Sequence, residues 1–463
     1  MIFFKNVCTI LTVFCWLAAS NPLFSQNGVP TEVIKVAQRQ QQDTNVAGEQ
    51  EPTQIEAGQI KSGYWLLPGT KTFVKFYGAL TVLARYDFTA APDFDYVRYF
   101  TIPVNGSELA KRKRLFQLSA RNSFVGFETQ SDTCLGLVKT VLEIGFQSFP
   151  INPSDITSRT LQNNHWAGLY QCYVQVGRIL AGQTFTTFSD IFAFPEAINF
   201  SNNCGITLLI QPMVRYTLER GKCTLMFALE NPIGEWTYSQ IDPLPAYQAA
   251  GLNPENPPFG TDLGKPVTPD AIFALRYSDC WGHVFLSGVV RDNRADTRGL
   301  VTAGTTVPPI FIDQRASAFG WGVNVAAKIK LGCKDNLLLK YTYGDGLGHY
   351  MLAGLYSGAI YDVDAAGVAR LINQHVNGGF VSYQHWWCPN LRSNFTIAYI
   401  DFKNVPEAPP TAWRGFRSGF ANLLWDPIPN LTIGIEYDYG ENRFNNGTIG
   451  RMSRLYAQIS RLF

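Results

Sequence analysis

The fold is decided by the last stretch of the chain, Asn430–Phe463, which reads NLTIGIEYDYGENRFNNGTIGRMSRLYAQISRLF. In its first half, Ile433 and Tyr437 share one parity, and Glu436 and Asp438 take the other. Successive side chains of a strand point to opposite faces, so the stretch predicts a hairpin with one apolar face and one polar face. A strand of a soluble sandwich alternates in the same way, but a chain that ends on an aromatic residue after such a strand is typical of a transmembrane β-barrel.

Length and composition agree with one large barrel. The 463 residues would otherwise fill two or three soluble domains. A net charge of +2 provides no basic surface, so no nucleic-acid partner is expected. Aromatic residues make up 14% of the chain and charged residues only 16%, which suits strands with a lipid-facing side and aromatic girdles at both membrane interfaces.

The N-terminus is typical of a secretion signal. Lys5 precedes the apolar run Val7–Ala19 and small residues, and the run is too short to span a bilayer as a helix. Cleavage after Ser20 and cleavage after Ser25 both fit, and residues 1–25 are assigned to a signal peptide.

A periplasmic lead-in is predicted over residues 26–63, ahead of a barrel over residues 64–463. The lead-in is rich in Gln, Glu and Thr, so we expect it to be mostly disordered, with a short helix or coiled coil at Thr31–Gln42 as the alternative.

Sixteen strands are predicted, separated by alternating long loops and short turns. They are Thr72–Asp87, Arg114–Glu128, Leu135–Phe149, Ala167–Val176, Ile179–Thr186, Gly205–Leu218, Cys223–Glu230, Asp270–Tyr277, Gly282–Arg291, Ala318–Leu331, Asn336–Tyr343, Gln374–Trp387, Leu391–Phe402, Trp413–Trp425 and the two strands of the closing hairpin. An even count with both ends on the short-turn side predicts an all-β fold, an antiparallel transmembrane barrel that crosses the outer membrane. Sixteen strands are enough to enclose an aqueous lumen.

A set of basic residues falls on the polar parity and is predicted to line the pore. Its members are Lys75, Arg85, Arg121, Lys139, Arg215, Arg276, Lys340, Arg414 and Arg454. A charge facing lipid at mid-depth costs about 2–4 kcal/mol, so the lumen is the default for a mid-strand Arg. Arg414 and Arg417 have opposite parities, and Arg414 shares that of Asn422. Basic rings favour anions electrostatically; if the side chains are merely solvated or paired with wall acids, no selectivity results.

The loop after the fifth strand, Thr187–Cys204, is too apolar for an exposed tip. We expect it to fold into the lumen as a constriction loop, with its acids opposite the basic wall; the alternative is packing at the mouth or against a neighbouring subunit. The residues singled out in it are Phe188, Asp190, Phe192, Pro195 and Glu196.

No catalytic constellation is evident. The histidines are scattered without metal-ligand spacing, and neither Gly-x-Ser-x-Gly nor Cys-x-x-Cys occurs. The sequence therefore predicts neither an enzyme nor a bound cofactor or metal.

Five cysteines are predicted to lie at short turns on the periplasmic rim. They are Cys134, Cys223, Cys280, Cys333 and Cys388. Neighbouring turns lie roughly 10–13 Å apart, given the strand spacing and tilt. A disulfide needs Cα atoms within about 7 Å. We therefore expect either disulfides to other envelope proteins or free thiols.

Several segments together resemble the DcaP-like outer-membrane porins. They are PGTKT (68–72) leading into FVKFYGALTVLARYD, GQTFTTFSDIFAFPEAINF (Gly182–Phe200), QPMVRYT (Gln211–Thr217) and NLLWDPIPNLTIGIEYDYGENRF with its closing strand. The resemblance covers residues 64–463 and implies a homotrimeric sixteen-stranded porin for small, often anionic solutes such as dicarboxylates, with Gly182–Phe200 as the constriction loop. The chain departs from the family in its short lead-in, where a coiled coil is usual, and at Arg461, where an aromatic residue is usual.

The leading expectation is a diffusion channel embedded in outer-membrane lipid. The alternative from a different class is a structural, disulfide-cross-linked envelope protein or adhesin whose pore is incidental.

Overall fold

Sixteen antiparallel strands close into one barrel, as the sequence predicts. The computed structural model describes residues 63–89, 99, 102–148, 166–233, 237–238, 267–296, 315–332, 334–354, 358–363, 368–408 and 410–463. The proposed signal peptide and nearly all of the lead-in lie outside these residues. The strands are β1 (Thr72–Asp87), β2 (Leu115–Ser119 and Phe124–Thr133), β3 (Gly136–Ser148), β4 (Trp166–Val176), β5 (Ile179–Phe185), β6 (Ile210–Arg220), β7 (Cys223–Glu230), β8 (Asp270–Asp279), β9 (Gly282–Asp296), β10 (Arg315–Leu331), β11 (Asp335–Asp345), β12 (His375–Cys388), β13 (Leu391–Lys403), β14 (Trp413–Ile428), β15 (Leu431–Phe444) and β16 (Ile449–Leu462).

The barrel closes by pairing the first strand with the last. The β1–β16 register runs from Ala79 opposite Leu462 to Asp87 opposite Arg454. Every other strand pairs with its neighbours in the chain, so the described strands form a single ring. Within the described ranges, no helix has the length and hydrophobicity needed to cross a bilayer.

Exposure along the closing hairpin follows the predicted parity. Tyr437 is 45% exposed and Phe463 56%, on the outer face, whereas Glu436, Asp438 and Arg454 are almost fully buried on the inner face. The same alternation of exposed and buried residues runs along β9, β10 and β16. The apolar parity therefore faces outward.

The second strand departs from the prediction, because Arg114–Glu128 is not continuous. Residues 120–123 leave the ladder between its two segments. Local hydrogen bonds from serine replace strand pairing here: the Ser119 hydroxyl accepts from the backbone N–H of Arg121, and the Ser123 hydroxyl accepts from that of Thr81.

The smaller elements lie outside the sixteen barrel strands. The described residues include four short 3-10 turns, at Leu109–Lys111, Ile191–Ala193, Phe200–Asn202 and Gly348–Tyr350. The strands Thr237–Tyr238, Ala359–Val363 and Ala369–Asn373 form a separate small sheet from two of the long loops. The strand Trp65–Leu66 folds back on β1.

The largest buried apolar cluster lies inside the barrel and combines loop and wall residues. Phe188, Phe200 and Ile206 come from the loop after β5, and Ile400 and Phe416 come from the wall. The predicted strand Gly205–Leu218 is wrong at its start, because β6 begins at Ile210. Residue 205 instead abuts the wall so closely that a Cβ there would lie 2.1 Å from the carbonyl oxygen of Gly379. The inward segment, residues 186–209, is called the constriction loop below.

Candidate functional site

The constriction loop enters the lumen at Glu230, the last residue of β7. The carboxylate of Glu230 accepts from the hydroxyl of Thr186 at 2.7 Å and from the backbone N–H of Thr187 at 2.7 Å. The carbonyl of Phe188 then accepts from Ser287 at 2.7 Å and from Asn324 at 3.0 Å. These bonds satisfy the backbone as it leaves the barrel ladder, which a buried loop requires.

Asp190, one of the predicted loop acids, binds two basic side chains of the wall. Its carboxylate lies 3.1 Å from Arg276 and 2.6 Å from Nε2 of His283. Burial raises the pKa of Asp190, but the charge of Arg276 and the hydrogen bond from His283 together outweigh it, so the pKa lies below its ordinary value of 3.8. The Arg276 guanidinium also lies 4.4 Å from the ring centre of Phe192. Arg276 is therefore engaged by the loop.

Glu196, the second predicted acid, is held by an arginine that the sequence analysis did not single out. Nε and Nη2 of Arg392 both donate to the Glu196 carboxylate, and Nη1 donates to Asp426 at 2.6 Å. Such bidentate pairing fixes both the position and the orientation of the Glu196 carboxylate. Arg392 is the second residue of β13 and shares the inner parity of Asn394. That parity in the sequence could have identified Arg392 as an inward-facing residue. Pro195 lies beside this anchor in sequence.

The loop reaches its farthest anchor at the closing hairpin. Glu436 accepts from the backbone N–H groups of Ile198 at 2.7 Å and Asn199 at 2.8 Å, and the Asn199 amide donates to Asp438 at 3.0 Å. Asn422 joins the loop to the same carboxylate, because it donates to the Glu196 carbonyl and to Glu436. The polar face predicted for the hairpin thus holds the loop through Glu436 and Asp438.

On its return to β6, the constriction loop packs against two other long loops. The Tyr99 hydroxyl donates to the carbonyl of Asn202 at 2.7 Å, and the backbone N–H of Leu352 donates to Ile206 at 3.1 Å. Cys204 is fully buried, and its backbone N–H donates to the Ser418 hydroxyl. Burial raises the pKa of the Cys204 thiol to about 12.

Four of the predicted pore cations make ion pairs or hydrogen bonds at other points of the inner wall. Arg85 and Arg454 both pair with Asp87, Arg85 at 3.1 Å along β1 and Arg454 at 2.6 Å across the barrel seam. Lys139 lies 3.3 Å from Glu128. Lys340 donates to the hydroxyl of Thr207 in the constriction loop.

The remaining predicted cations differ in their surroundings. Arg121 is buried in the interruption of β2, and Lys75 lies over the Tyr64 ring at 5.6 Å. Arg215 is half-buried on the inner face of β6 and has no hydrogen bond or ion pair within the described part of the chain.

Arg414 and Arg417 are placed differently on β14. Arg414 is exposed at its loop end, beside an irregularity in the β14–β15 register. Arg417 takes the outer parity and pairs with Asp401.

The rim cysteines carry free thiols in the described residues. Cys134, Cys280 and Cys388 are exposed, and Cys223 is half-buried. Cys333 lies outside the described residues. No group of three or more potential metal ligands comes together in the part of the chain that the structure describes.

Comparisons with known proteins agree with this architecture. The sequence profile of the porin subfamily matches residues 60–454. The outer-membrane channel DcaP of Acinetobacter baumannii is similar at a TM-score of 0.67 and 18% identity, over 86% of this chain and 99% of that chain. OmpT of Vibrio cholerae matches at a TM-score of 0.48 and 10% identity, over 86% of this chain and 99% of that chain. OmpF of Salmonella typhi, in a complex with daunomycin, matches at a TM-score of 0.49 and 9% identity, over 85% of this chain and 98% of that chain.

None of the curated proteins compared with the chain matches it. The resemblance to DcaP-like porins is confirmed for family and fold, because the profile match covers most of the chain and the DcaP barrel is similar over the same part. The chain belongs to the porin subfamily and is an outer-membrane channel for diffusion.

Proposed function

We propose that the protein passes small hydrophilic solutes passively and favours anions such as dicarboxylates. In this proposal it is exported by the signal peptide 1–25 and works as a homotrimer in outer-membrane lipid. The homotrimer and the dicarboxylate class both come from the DcaP-like resemblance of the sequence.

The anion preference rests on one observation, the unpaired guanidinium of Arg215. Three acids of the lumen are neutralised by cations: Asp190 by Arg276, Glu196 by Arg392 and Glu128 by Lys139. Glu230, Glu436 and Asp438 are almost fully buried beneath hydrogen-bond donors. Arg215 lies near enough to Glu230 and Tyr173 to interact with them electrostatically, but it has no ion pair or hydrogen bond in the described residues, so we expect its charge to act on passing solutes.

Two lysines of the inner face add to this field. Lys75 on β1 and Lys328 on β10 are half-buried, and neither has an ion pair or a hydrogen bond within the described ranges. Fixed positive charge in a low-dielectric wall raises the local concentration of anions. Among the described residues, Arg215, Lys75 and Lys328 are thus inner-face cations without an ion pair or a hydrogen bond.

The test is the reversal potential of the purified protein in a planar bilayer with a KCl gradient. We expect the sign of an anion-selective channel, and Arg215→Ala should move the potential toward cations, with the chloride-to-potassium permeability ratio falling roughly twofold. Arg461→Ala is the matched control, since it removes the same charge from an exposed residue at the short-turn end of β16. A cation sign for the wild type, or equal potentials for the two variants, contradicts the anion preference.

The exposed thiols favour a second candidate, a cross-linked envelope component. Cys134, Cys280 and Cys388 are accessible on the same rim. Non-reducing gels of isolated envelopes should then show high-mass species that collapse with reductant and disappear when the three residues are replaced by Ser. Monomer bands alone would exclude this role.

A further inference from the structure

We infer that the segment just before β1 is a working part of the channel. The strand Trp65–Leu66 covers an open edge at the barrel seam and places the side chain of Tyr64 in the lumen, where it sets the width and charge at the short-turn end. This inference rests on the proposed function only in requiring that the barrel conducts ions.

β16 pairs with β1 only over Ala79–Asp87, so the first residues of β1 have no partner in β16. Their pairing stops where Phe463 exchanges two backbone hydrogen bonds with Gly78, both at 3.1 Å. Below that point, the edge of β1 is covered by the short strand, with Trp65 opposite Val74 and Leu66 opposite Phe73. An uncovered strand edge is a template for unwanted pairing, so this cover has a structural benefit in itself.

A tight turn fixes the short strand in this position. The backbone N–H of Thr70 donates to the carbonyl of Leu67 at 3.1 Å, and Gly69 has φ 76°. Pro68 and Gly69 are the residues that the two central positions of a type II turn prefer. This gives a physical reason for the Pro-Gly-Thr segment ahead of β1.

The alternation of side chains then separates two aromatic residues. Trp65 is 63% exposed, and its ring lies 5.9 Å from that of Phe76 on the outer face. Tyr64, one residue earlier, is 8% exposed and points to the inner face. One aromatic ring therefore faces the membrane side and the next faces the lumen.

Inside, Tyr64 is bound by a polar network from three strands of the wall. Its hydroxyl donates to Glu128 at 2.6 Å and accepts from Gln130 at 3.0 Å. Glu128 also pairs with Lys139 at 3.3 Å, and Nζ of Lys75 lies 5.6 Å from the centre of the Tyr64 ring. Glu128 and Lys139 are consequently almost fully buried beneath the tyrosine.

Removing the ring should change both the width and the charge of the passage. Glu128 and Lys139 would gain contact with the lumen together, as a neutral ion pair, and Lys75 would lose the ring that its ammonium group lies over. The path widens, and the charge of Lys75, no longer covered by the ring, favours anions. The constriction loop does not make these contacts, which lie on β1, β2 and β3.

The experiment compares single-channel conductance and reversal potential in KCl for Tyr64→Ala, Tyr64→Trp and Tyr64→Phe. We expect Tyr64→Ala to raise the conductance by roughly half and to move the potential toward anions. Tyr64→Trp should lower the conductance, and Tyr64→Phe should keep it, because the ring remains. Trp65→Ala is the matched control, since it removes the neighbouring ring from the outer face.

The outcomes separate this inference from the proposed function. Absence of discrete conductance steps in the wild type would overturn the channel itself. A conducting wild type with Tyr64→Ala and Tyr64→Trp both indistinguishable from Trp65→Ala would overturn only the role of Tyr64. Heat-modifiability on gels identifies a variant that fails to fold, and the remaining variant then decides the question through its conductance.

Discussion

The inner wall of the barrel has two sides that use the same residue types differently. On the loop-side wall, the inner faces of β7–β15, basic residues fasten the constriction loop: Arg276 binds Asp190 and Arg392 binds Glu196. On the open wall, the inner faces of β1–β6, Arg215 makes no such bond in the described residues. A cation of the correct parity therefore holds the loop where an acid of the loop reaches it. Elsewhere it either pairs with an acid of the wall, as Lys139 does with Glu128, or has no ion pair in the described residues, as for Arg215 and Lys328.

The largest expected effect comes from removing Arg392, which holds the constriction loop through Glu196. Arg392→Ala removes the arginine that binds Glu196 and Asp426, and loss of a hydrogen bond between charged groups costs about 1.5–3 kcal/mol. We expect a clear drop in the temperature at which the folded barrel is lost in a heat-modifiability gel, and a noisier open-channel current as the loop detaches.

The matched control is Arg417→Ala, which removes an arginine from an ion pair with Asp401 on the outer side of neighbouring strands. That pair is about one third exposed, and exposed pairs contribute at most about 1 kcal/mol. Equal melting shifts for the two variants would mean that the Glu196 anchor does not stabilise the loop.

A medium effect is expected from a variant that leaves a paired cation of the wall without its acid. Asp190→Asn removes the charge that engages Arg276 and His283. The freed positive charge should make the channel more anion-selective. The resulting shift in reversal potential should be opposite in direction to that of Arg215→Ala, and smaller. Asp401→Asn on the outer face removes the same charge outside the lumen and should leave the potential unchanged. A shift of Asp190→Asn toward cations would contradict the division into two walls.

The pH dependence of this difference has a definite sign. The pKa of Asp190 lies below 3.8, so its charge and the ion pair are present above that value and are lost as pH falls through the lowered pKa. The potentials of wild type and Asp190→Asn should therefore differ from neutral pH down to about pH 4 and converge below it. Convergence already near pH 6 would show that a different group controls the field.

Sequence reasoning succeeded where the signal is periodic. The parity of Glu436 and Arg454 follows from alternation alone, and the inward fold of Phe188 and its neighbours follows from an apolar loop that water disfavours. Arg392 was missed because its partner Glu196 is 196 residues away in sequence, and only the path of the loop brings them together. Tyr64 was missed for a related reason, since its position depends on where β16 ends.

The smallest perturbation uses Cys204 as a reporter of whether the loop stays on its wall. Cys204 is fully buried against Ser418, and burial raises the pKa of its thiol to about 12, so it should not react with a thiol reagent in the folded channel. Cys134, Cys280 and Cys388 are exposed and should be labelled at once, which provides an internal control. Mass spectrometry of the alkylated wild type should therefore find Cys204 unmodified, and Arg392→Ala should make it reactive without unfolding the barrel. Rapid labelling of Cys204 in the wild type would mean that the constriction loop leaves the wall in the resting channel, and the distinction between a fastened and an open wall would then fail.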